Sequence, residues 1–96
     1  MTTQEILQTL QAFQRSHADE FGIIRLGLFG SATRHAERED SDIDVVVEIA
    51  DPDMFTLIGI RQELELSLHR PVDLIRYRHS MNAFLKKRID QEAIYV

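Results

Sequence analysis

The sequence predicts an α/β domain of the two-layer (α+β) kind, with a small mixed β-sheet of three or more strands and helices packed on one side of it. Two observations support this class. Short apolar segments rich in β-branched residues alternate with amphipathic segments of helical period. Turn residues separate them in the order α-β-(α)-β-α-β-α. The chain of 96 residues fits one domain over 1–96, and its 44% hydrophobic and 28% charged residues are typical of a globular chain.

The first helix begins at a capping box formed by Thr2 and Glu5, in which each side chain binds a free backbone N–H of the first turn. The helix is expected to end near 17–20, since Gly22 breaks the pattern. Its core-facing stripe comprises Ile6, Leu7, Leu10 and Phe13.

Two strands follow the first helix. Residues 23–30 are typical of a strand with one apolar face, and residues 43–49 form the clearest strand because they are rich in valine and isoleucine. The polar stretch between them starts at Ser31, a candidate N-cap for a short helix. The apolar face of the first strand comprises Ile24, Leu26 and Leu28.

The second half of the chain predicts a helix, a strand and a last helix. Asp51 followed by Pro52 suits a helix start, and this helix should end near His69. Residues 71–77 predict a third strand, and Ser80 can cap a last helix that reaches about Gln91. Residues 93–96 are left as a short apolar tail. The side chains expected to point inward from the second helix are Phe55, Ile58, Leu64 and Leu68.

Composition excludes several classes of protein. No apolar run approaches the length of a membrane span, and the N-terminal residues lack the pattern of a secretory signal, so we expect a cytoplasmic protein with no membrane association. The absence of cysteine excludes disulfides, thiolate metal sites and a cysteine nucleophile. A net charge of −5 argues against direct nucleic-acid binding, which usually requires a basic face.

The start of the second strand carries two acids. Asp42 and Asp44 are two residues apart, so their side chains project from the same side of the strand, about 7 Å apart. Like charges this close need a compensating cation, and oxygen ligands without sulfur or histidine favour Mg²⁺, or alternatively Mn²⁺. Asp73 lies in the middle of the third strand and joins them if the two strands are neighbours. The sequence therefore predicts a two-metal site of Asp42, Asp44 and Asp73.

A glycine–serine pair precedes these acids. Gly30 ends the first strand and can let the backbone approach a ligand closely, while Ser31 would open a helix whose free N–H groups favour a phosphate. Arg34, one turn later, could contact the same anion. A triphosphate held by Gly30, Ser31 and Arg34 would lead toward metals held by the aspartates. This arrangement fits phosphoryl or nucleotidyl transfer by in-line displacement.

These residues carry a resemblance to a known family. The Gly30-Ser31-Ala-Thr-Arg34 segment, the Asp42-Ile-Asp44 strand start and Asp73 downstream resemble the minimal nucleotidyltransferases (MNT) of the DNA polymerase β superfamily. The resemblance implies a single minimal nucleotidyltransferase domain over 1–96, with the nucleotidyltransferase fold. It also implies that Gly30 and Ser31 grip the triphosphate, that Asp42 and Asp44 bind both metal ions, and that Asp73 completes the catalytic site.

The same resemblance extends to the antitoxins of HEPN/MNT toxin–antitoxin pairs. It implies Mg²⁺-dependent transfer of AMP from ATP to a hydroxyl, expected to be that of a tyrosine, on a partner HEPN ribonuclease toxin. Two alternatives stay open: an antitoxin that neutralises its partner by binding alone, and a nucleotidyltransferase that modifies a small molecule such as an aminoglycoside. Both alternatives keep the fold, but the first involves no transfer and the second changes the acceptor.

Other features of the sequence favour a structural interpretation. The histidines show no paired ligand spacing, and the basic residues of the last helix suit a solvated face, with a weaker alternative that they contact a partner or the nucleotide. The last apolar set is expected in the core, although part of it would suit the interface of a homo-oligomer. That set comprises Phe55, Phe84, Leu85 and Ile89.

Overall fold

The computed structural model describes residues 1–34 and 42–96. These residues form three α-helices, four β-strands and one 3-10 turn. In chain order the elements are α1 (Thr3–Phe21), β1 (Ile23–Phe29), the 3-10 turn (Gly30–Thr33), β2 (Ile43–Ile49), α2 (Met54–Leu68), β3 (Val72–Arg76), α3 (Ala83–Glu92) and β4 (Ile94–Tyr95). Within the described residues no helix is long and apolar enough to cross a membrane. The cytoplasmic location stays a prediction.

The four strands form one mixed sheet in the order β3-β2-β1-β4. The β2–β3 pair is parallel, whereas β1 pairs antiparallel with both β2 and β4. The predicted fold class is confirmed, and the neighbouring positions of the second and third strands are observed. Strand β4 was not predicted, because two paired residues, Ile94 and Tyr95, are too few to show an alternating pattern.

The central strand β2 is buried on both faces. Val45 and Val47 pack with α1 and α2 on one face, while Val46 packs with α3 on the other, and all three are 0% exposed. The prediction of helices on one side only therefore needs correction: α3 covers the opposite face through Ile89. A continuous valine run is what a strand buried on both faces requires, whereas strict alternation would expose one face.

The helix starts agree with the sequence in one case and differ in two. The capping box of α1 is present, because the backbone N–H of Glu5 donates to the Thr2 hydroxyl over 3.2 Å and the Glu5 carboxylate accepts from the Thr2 backbone. The N-cap of α2 is Asp53 rather than Asp51, and that of α3 is Asn82 rather than Ser80. In each case the residue that holds the N-terminal N–H groups lies two positions later than predicted.

The core-facing stripe of α2 differs from the prediction at its N-terminal end. Leu64 and Leu68 are buried as expected, but Phe55 is 84% exposed and Ile58 is 42% exposed. Ile60, Leu64 and Leu68 recur every four residues and form the buried stripe, so Phe55 and Ile58 face away from it.

Two further apolar side chains are exposed against expectation. Phe84 of α3 is 79% exposed, whereas its predicted companions Leu85 and Ile89 pack against the sheet. Ile24 is also exposed, because a register irregularity between Ile23 and Arg25 interrupts the alternation of β1 and turns Ile23 into the core instead.

Candidate functional site

The register of the sheet places two predicted acids side by side. Asp44 of β2 lies directly beside Asp73 of β3 in the parallel pair, and on its other side it faces Phe29, the last residue of β1. The neighbouring pair Val45 and Leu74 packs toward α1 and α2. Because side chains alternate along strands, Asp44 and Asp73 both project from the opposite face. The strand pairing on which the predicted site depends is therefore present.

The third acid is electrostatically linked to this pair. Asp42 is exposed and lies two residues before Asp44, on the same side of the chain if the extended conformation continues. Partial burial raises the pKa of Asp44, and so do the charge of Asp73, a hydrogen bond with the Asp73 carboxyl and the charge of Asp42. Asp73 and Asp42 therefore both act on Asp44, since neighbouring negative charges disfavour ionisation of a partly buried carboxyl group.

The acidic cluster of Asp42, Asp44 and Asp73 suits a hard divalent cation. It offers only carboxylate oxygens, which are the ligands that Mg²⁺ prefers, and it has like-charge repulsion that such a cation would relieve. Within residues 1–34 and 42–96, however, no three acidic or imidazole side chains already stand in the arrangement of a closed metal site.

Gly30 brings the backbone against the acidic cluster. Its φ of 78° lies in the left-handed region, and a Cβ at this position would lie 3.2 Å from Cγ of Asp44 and closer still to a carboxylate oxygen of that residue. Only glycine therefore combines this conformation with this contact. The turn that begins at Gly30 therefore lies against Asp44. This contact agrees with the predicted position of the glycine–serine pair near the acids.

Ser31 lies in the 3-10 turn and Arg34 directly follows it, and both residues are exposed. The Arg34 backbone N–H donates to the Ser31 carbonyl over 3.0 Å, and the Thr33 hydroxyl donates to the Gly30 carbonyl over 2.7 Å. The expectation that Ser31 caps a helix is wrong, because it lies inside a 3-10 turn preceded by Phe29. His35, one of the histidines without paired ligand spacing, lies outside the described residues.

Two contacts at this site were not found in the sequence. The Thr3 hydroxyl of α1 donates to the Ala32 carbonyl over 2.7 Å and so ties the start of the chain to the turn. The Arg88 guanidinium of α3 lies 5.6 Å from the ring centroid of Phe29, the residue before Gly30. Both pairs are far apart in sequence, so no local pattern could indicate them.

The family of this chain is shown by its sequence along most of its length. A sequence model described as "Polymerase beta, Nucleotidyltransferase" matches residues 8–96, a range that contains every predicted site residue. The chain belongs to this family. As a family member it is a nucleotidyltransferase, and the resemblance drawn from Gly30-Ser31 and the aspartates is confirmed.

Similar proteins extend the family assignment. Protein adenylyltransferase MntA of Thermococcus cleftensis is 32% identical over 97 residues, which span 100% of this chain and 97% of that protein. A solved structure described as a minimal nucleotidyltransferase is 26% identical, with a TM-score of 0.81 over 98% of this chain and 95% of its own. The present chain therefore matches both of these relatives along nearly their whole length.

Solved toxin–antitoxin structures share the fold as well. A chain of a toxin–antitoxin crystal structure with AMP-PNP is 25% identical, with a TM-score of 0.73 over 92% of this chain and 69% of that one. A structure of the tri-AMPylated Shewanella oneidensis HEPN toxin in complex with MNT antitoxin contains a chain that is 24% identical, with a TM-score of 0.71 over 98% of this chain and 71% of that one. The second likeness concerns the fold alone.

Proposed function

We propose that this nucleotidyltransferase, as a single domain over 1–96, transfers AMP from ATP to a tyrosine hydroxyl of a HEPN-type toxin and thereby acts as its antitoxin. The observation that carries the proposal is the register that sets Asp44 beside Asp73, directly under the turn at Gly30. That arrangement supports the proposal because it sets a carboxylate cluster, which would hold the metal ions, against a backbone turn that would bind the phosphates.

Each predicted residue has a role in the proposed reaction. Asp42 and Asp44 would hold both Mg²⁺ ions, and Asp73 would hold the one nearer the acceptor. Bound Mg²⁺ supplies positive charge that stabilises the attacking and leaving oxygens. Gly30 and Ser31 would bind the β- and γ-phosphates, with a further contact from Arg34, whose planar guanidinium suits phosphate oxygens.

The chemical step balances as an in-line displacement. The acceptor hydroxyl oxygen attacks the α-phosphorus of ATP, a new P–O bond forms, and the bond between the α-phosphorus and the bridging oxygen breaks. Pyrophosphate leaves with the bonding electrons, and Asp73 accepts the proton of the hydroxyl. Partial burial and repulsion from Asp73 and Asp42 raise the pKa of Asp44, and bound cations would relieve this repulsion.

Adenylyl transfer to a protein is supported by the relatives. The full-length relative from Thermococcus cleftensis is named a protein adenylyltransferase, and a 25% identical structural neighbour is a toxin–antitoxin structure with the ATP analogue AMP-PNP. We carry both properties to this chain as part of the proposal.

The test mixes this chain with its cognate HEPN-type toxin, ATP and Mg²⁺, and follows the intact mass of the toxin. We expect the toxin to gain mass in whole AMP units, and EDTA or D44N to reduce the rate at least about 1,000-fold, as expected for loss of a metal-binding group at a catalytic centre. D51N is the matched control, since Asp51 is an exposed carboxylate just beyond the other end of β2 and should leave the rate unchanged.

The remaining alternatives give different results in the same experiment. If D44N silences the toxin as well as the wild type does, without added mass, neutralisation by binding alone is correct. Transfer of AMP to an aminoglycoside in the absence of any protein acceptor would instead establish the small-molecule activity.

A further inference from the structure

A groove opens between α2 and the edge strand β3, away from the acidic cluster. Its volume is about 370 Å³. Most of its lining is apolar, and two arginines complete it. The lining residues are Met54, Leu57, Ile58, Arg61, Leu74 and Arg76. Because β3 is at the edge of the sheet, the groove is open on its outer side and can admit a segment of another chain.

The apolar side chains around this groove are unusually exposed. Met54 and Ile58, which line the groove, are 75% and 42% exposed, and Phe55, which is next to Met54 in the chain but outside the lining, is 84% exposed. Single exposed apolar residues are common, but a group of large ones beside an apolar groove is typical of a protein-binding surface.

The charges at the groove indicate the kind of partner. Arg61 of α2 and Arg76 of β3 make no ion pair with any residue in the described part of the chain. They form a local positive site on a chain whose net charge is −5. Arginines beside an apolar groove favour a segment that carries apolar side chains flanked by aspartate or glutamate.

The groove and the acidic cluster lie toward opposite ends of the sheet. Asp73 neighbours Asp44 at the start of the parallel pair, whereas Arg76 neighbours Val47, three residues and about 10 Å further along. The two sites also face opposite sides of the sheet, since Leu74 packs toward α1 and α2. A partner bound in the groove would therefore leave the nucleotide site open.

We propose that this groove docks the acceptor protein through an acidic, partly apolar segment, while the acceptor hydroxyl reaches the separate transfer site. The inference rests on the proposed function for the identity of the partner, and it adds the surface that recognises it. Transfer to a protein needs such a surface, because a tyrosine side chain alone offers little to distinguish one protein from another.

The experiment compares M54D and the double variant R61E/R76E with F84D. Met54 lines the groove and is 75% exposed, whereas Phe84 is 79% exposed on the other side of the sheet, so F84D also replaces an exposed apolar side chain by aspartate but does so away from the groove. Binding of the cognate HEPN-type toxin and of ATP with Mg²⁺ is measured separately by titration calorimetry. We expect M54D and R61E/R76E to weaken toxin binding by about tenfold or more, as at interface hot spots, with F84D within about twofold of the wild type. Binding of ATP should be unchanged in all three variants.

Several outcomes decide between the two proposals. Toxin binding by M54D at wild-type strength overturns the docking site even if AMP transfer is intact. Toxin binding that depends on the groove but occurs without AMP transfer supports the docking site and contradicts the proposed function. A dimer of the wild type that M54D converts to monomer in sedimentation, with toxin binding unchanged, assigns the groove to a second copy of this chain and also overturns the docking site.

Discussion

Two polar clusters lie on the same face of the sheet. One pairs opposite charges, whereas the other brings like charges together. The first joins Arg25 to Glu48 through a 2.9 Å ion pair, with the guanidinium 4.7 Å from the ring centroids of both Tyr77 and Tyr95. Partial burial alone would lower the pKa of Arg25, but the hydrogen bond to Glu48 and the neighbouring tyrosines outweigh it and raise this pKa. The opposite charges of Arg25 and Glu48 are paired, as in an ordinary structural network.

In the acidic cluster, by contrast, no positive charge of the described residues offsets the negative charges. Asp44 and Glu48 project from the same face of β2, about 13 Å apart along the strand. Burial, Asp73 and Asp42 all raise the pKa of Asp44, and in the described part of the chain no neighbour lowers it. The contrast indicates that a site suited to a cation is a place where like charges lie together, whereas in the structural cluster the opposite charges of Arg25 and Glu48 are paired.

The largest expected difference between the two clusters is in how a substitution in each one affects stabilisation by Mg²⁺. At a concentration one hundred times the dissociation constant, Mg²⁺ should raise the free energy of unfolding by about 2.7 kcal/mol, because only the folded chain holds the three acids together. D44N should lose most of this stabilisation and E48Q should retain it. Thermal unfolding with and without Mg²⁺ measures the difference. An equal response from D44N and the wild type would contradict the proposed metal site.

Replacing Gly30 should damage both stability and activity. G30A should lower the free energy of unfolding by about 1–2 kcal/mol because its φ is left-handed, and the new methyl group must also displace Asp44. G22A is the matched control, since Gly22 has a φ of 66° but a methyl group there would make only ordinary contacts. Denaturant unfolding should show a loss in both variants, whereas AMP transfer should fall only in G30A. Normal transfer by G30A would show that the approach of this turn to Asp44 is not required.

Breaking the compensated cluster should have a smaller effect. E48Q removes the charge that pairs with Arg25, but the Arg25 side chain is 41% exposed and that of Glu48 is 25% exposed, so solvent screens the pair. The free energy of unfolding should fall by less than about 1 kcal/mol, and this loss should be smaller at high salt. The AMP-transfer rate should remain within about twofold of the wild type. A large loss of transfer with intact folding would show that this cluster belongs to the active site.

The smallest expected effect is the pH dependence of the metal-free protein. Because the pKa of Asp44 is raised in the folded state, the folded chain binds more protons than the unfolded chain above the ordinary aspartate pKa. The stability of the wild type should therefore fall as the pH rises from that value through the raised pKa, and D44N should lack this decrease. Unfolding in EDTA across this range measures the difference. The prediction is contradicted if the free energy of unfolding of D44N exceeds that of the wild type by more at low pH than at high pH.

Features that depend on neighbouring residues were predicted well from the sequence. The capping box at Thr2 and Glu5 was confirmed, because its hydrogen bonds join residues three positions apart. The three main strands were also found, since alternation and β-branched residues act locally. The N-caps Asp53 and Asn82 lie two residues after the predicted positions, and they show the limit of this reasoning. Several polar residues near a helix start compete to bind the same N–H groups.

Features that depend on distant residues needed the folded chain. The orientation of α2, which leaves Phe55 exposed, and the position of α3 on the second face follow from which surfaces the sheet offers, and local periodicity does not encode that choice. The pairing of β4 likewise depends on the free edge of β1.

The chemical groups of the site could be read from the amino-acid order alone: a glycine–serine pair, two acids in one strand and a third in a later strand. That Asp44 and Asp73 are neighbours, and that the turn at Gly30 lies against them, became visible only in the folded chain. This is because strand register is fixed by the packing of a whole sheet between two helical layers, where a shift by one residue would turn every side chain of a strand to the other face.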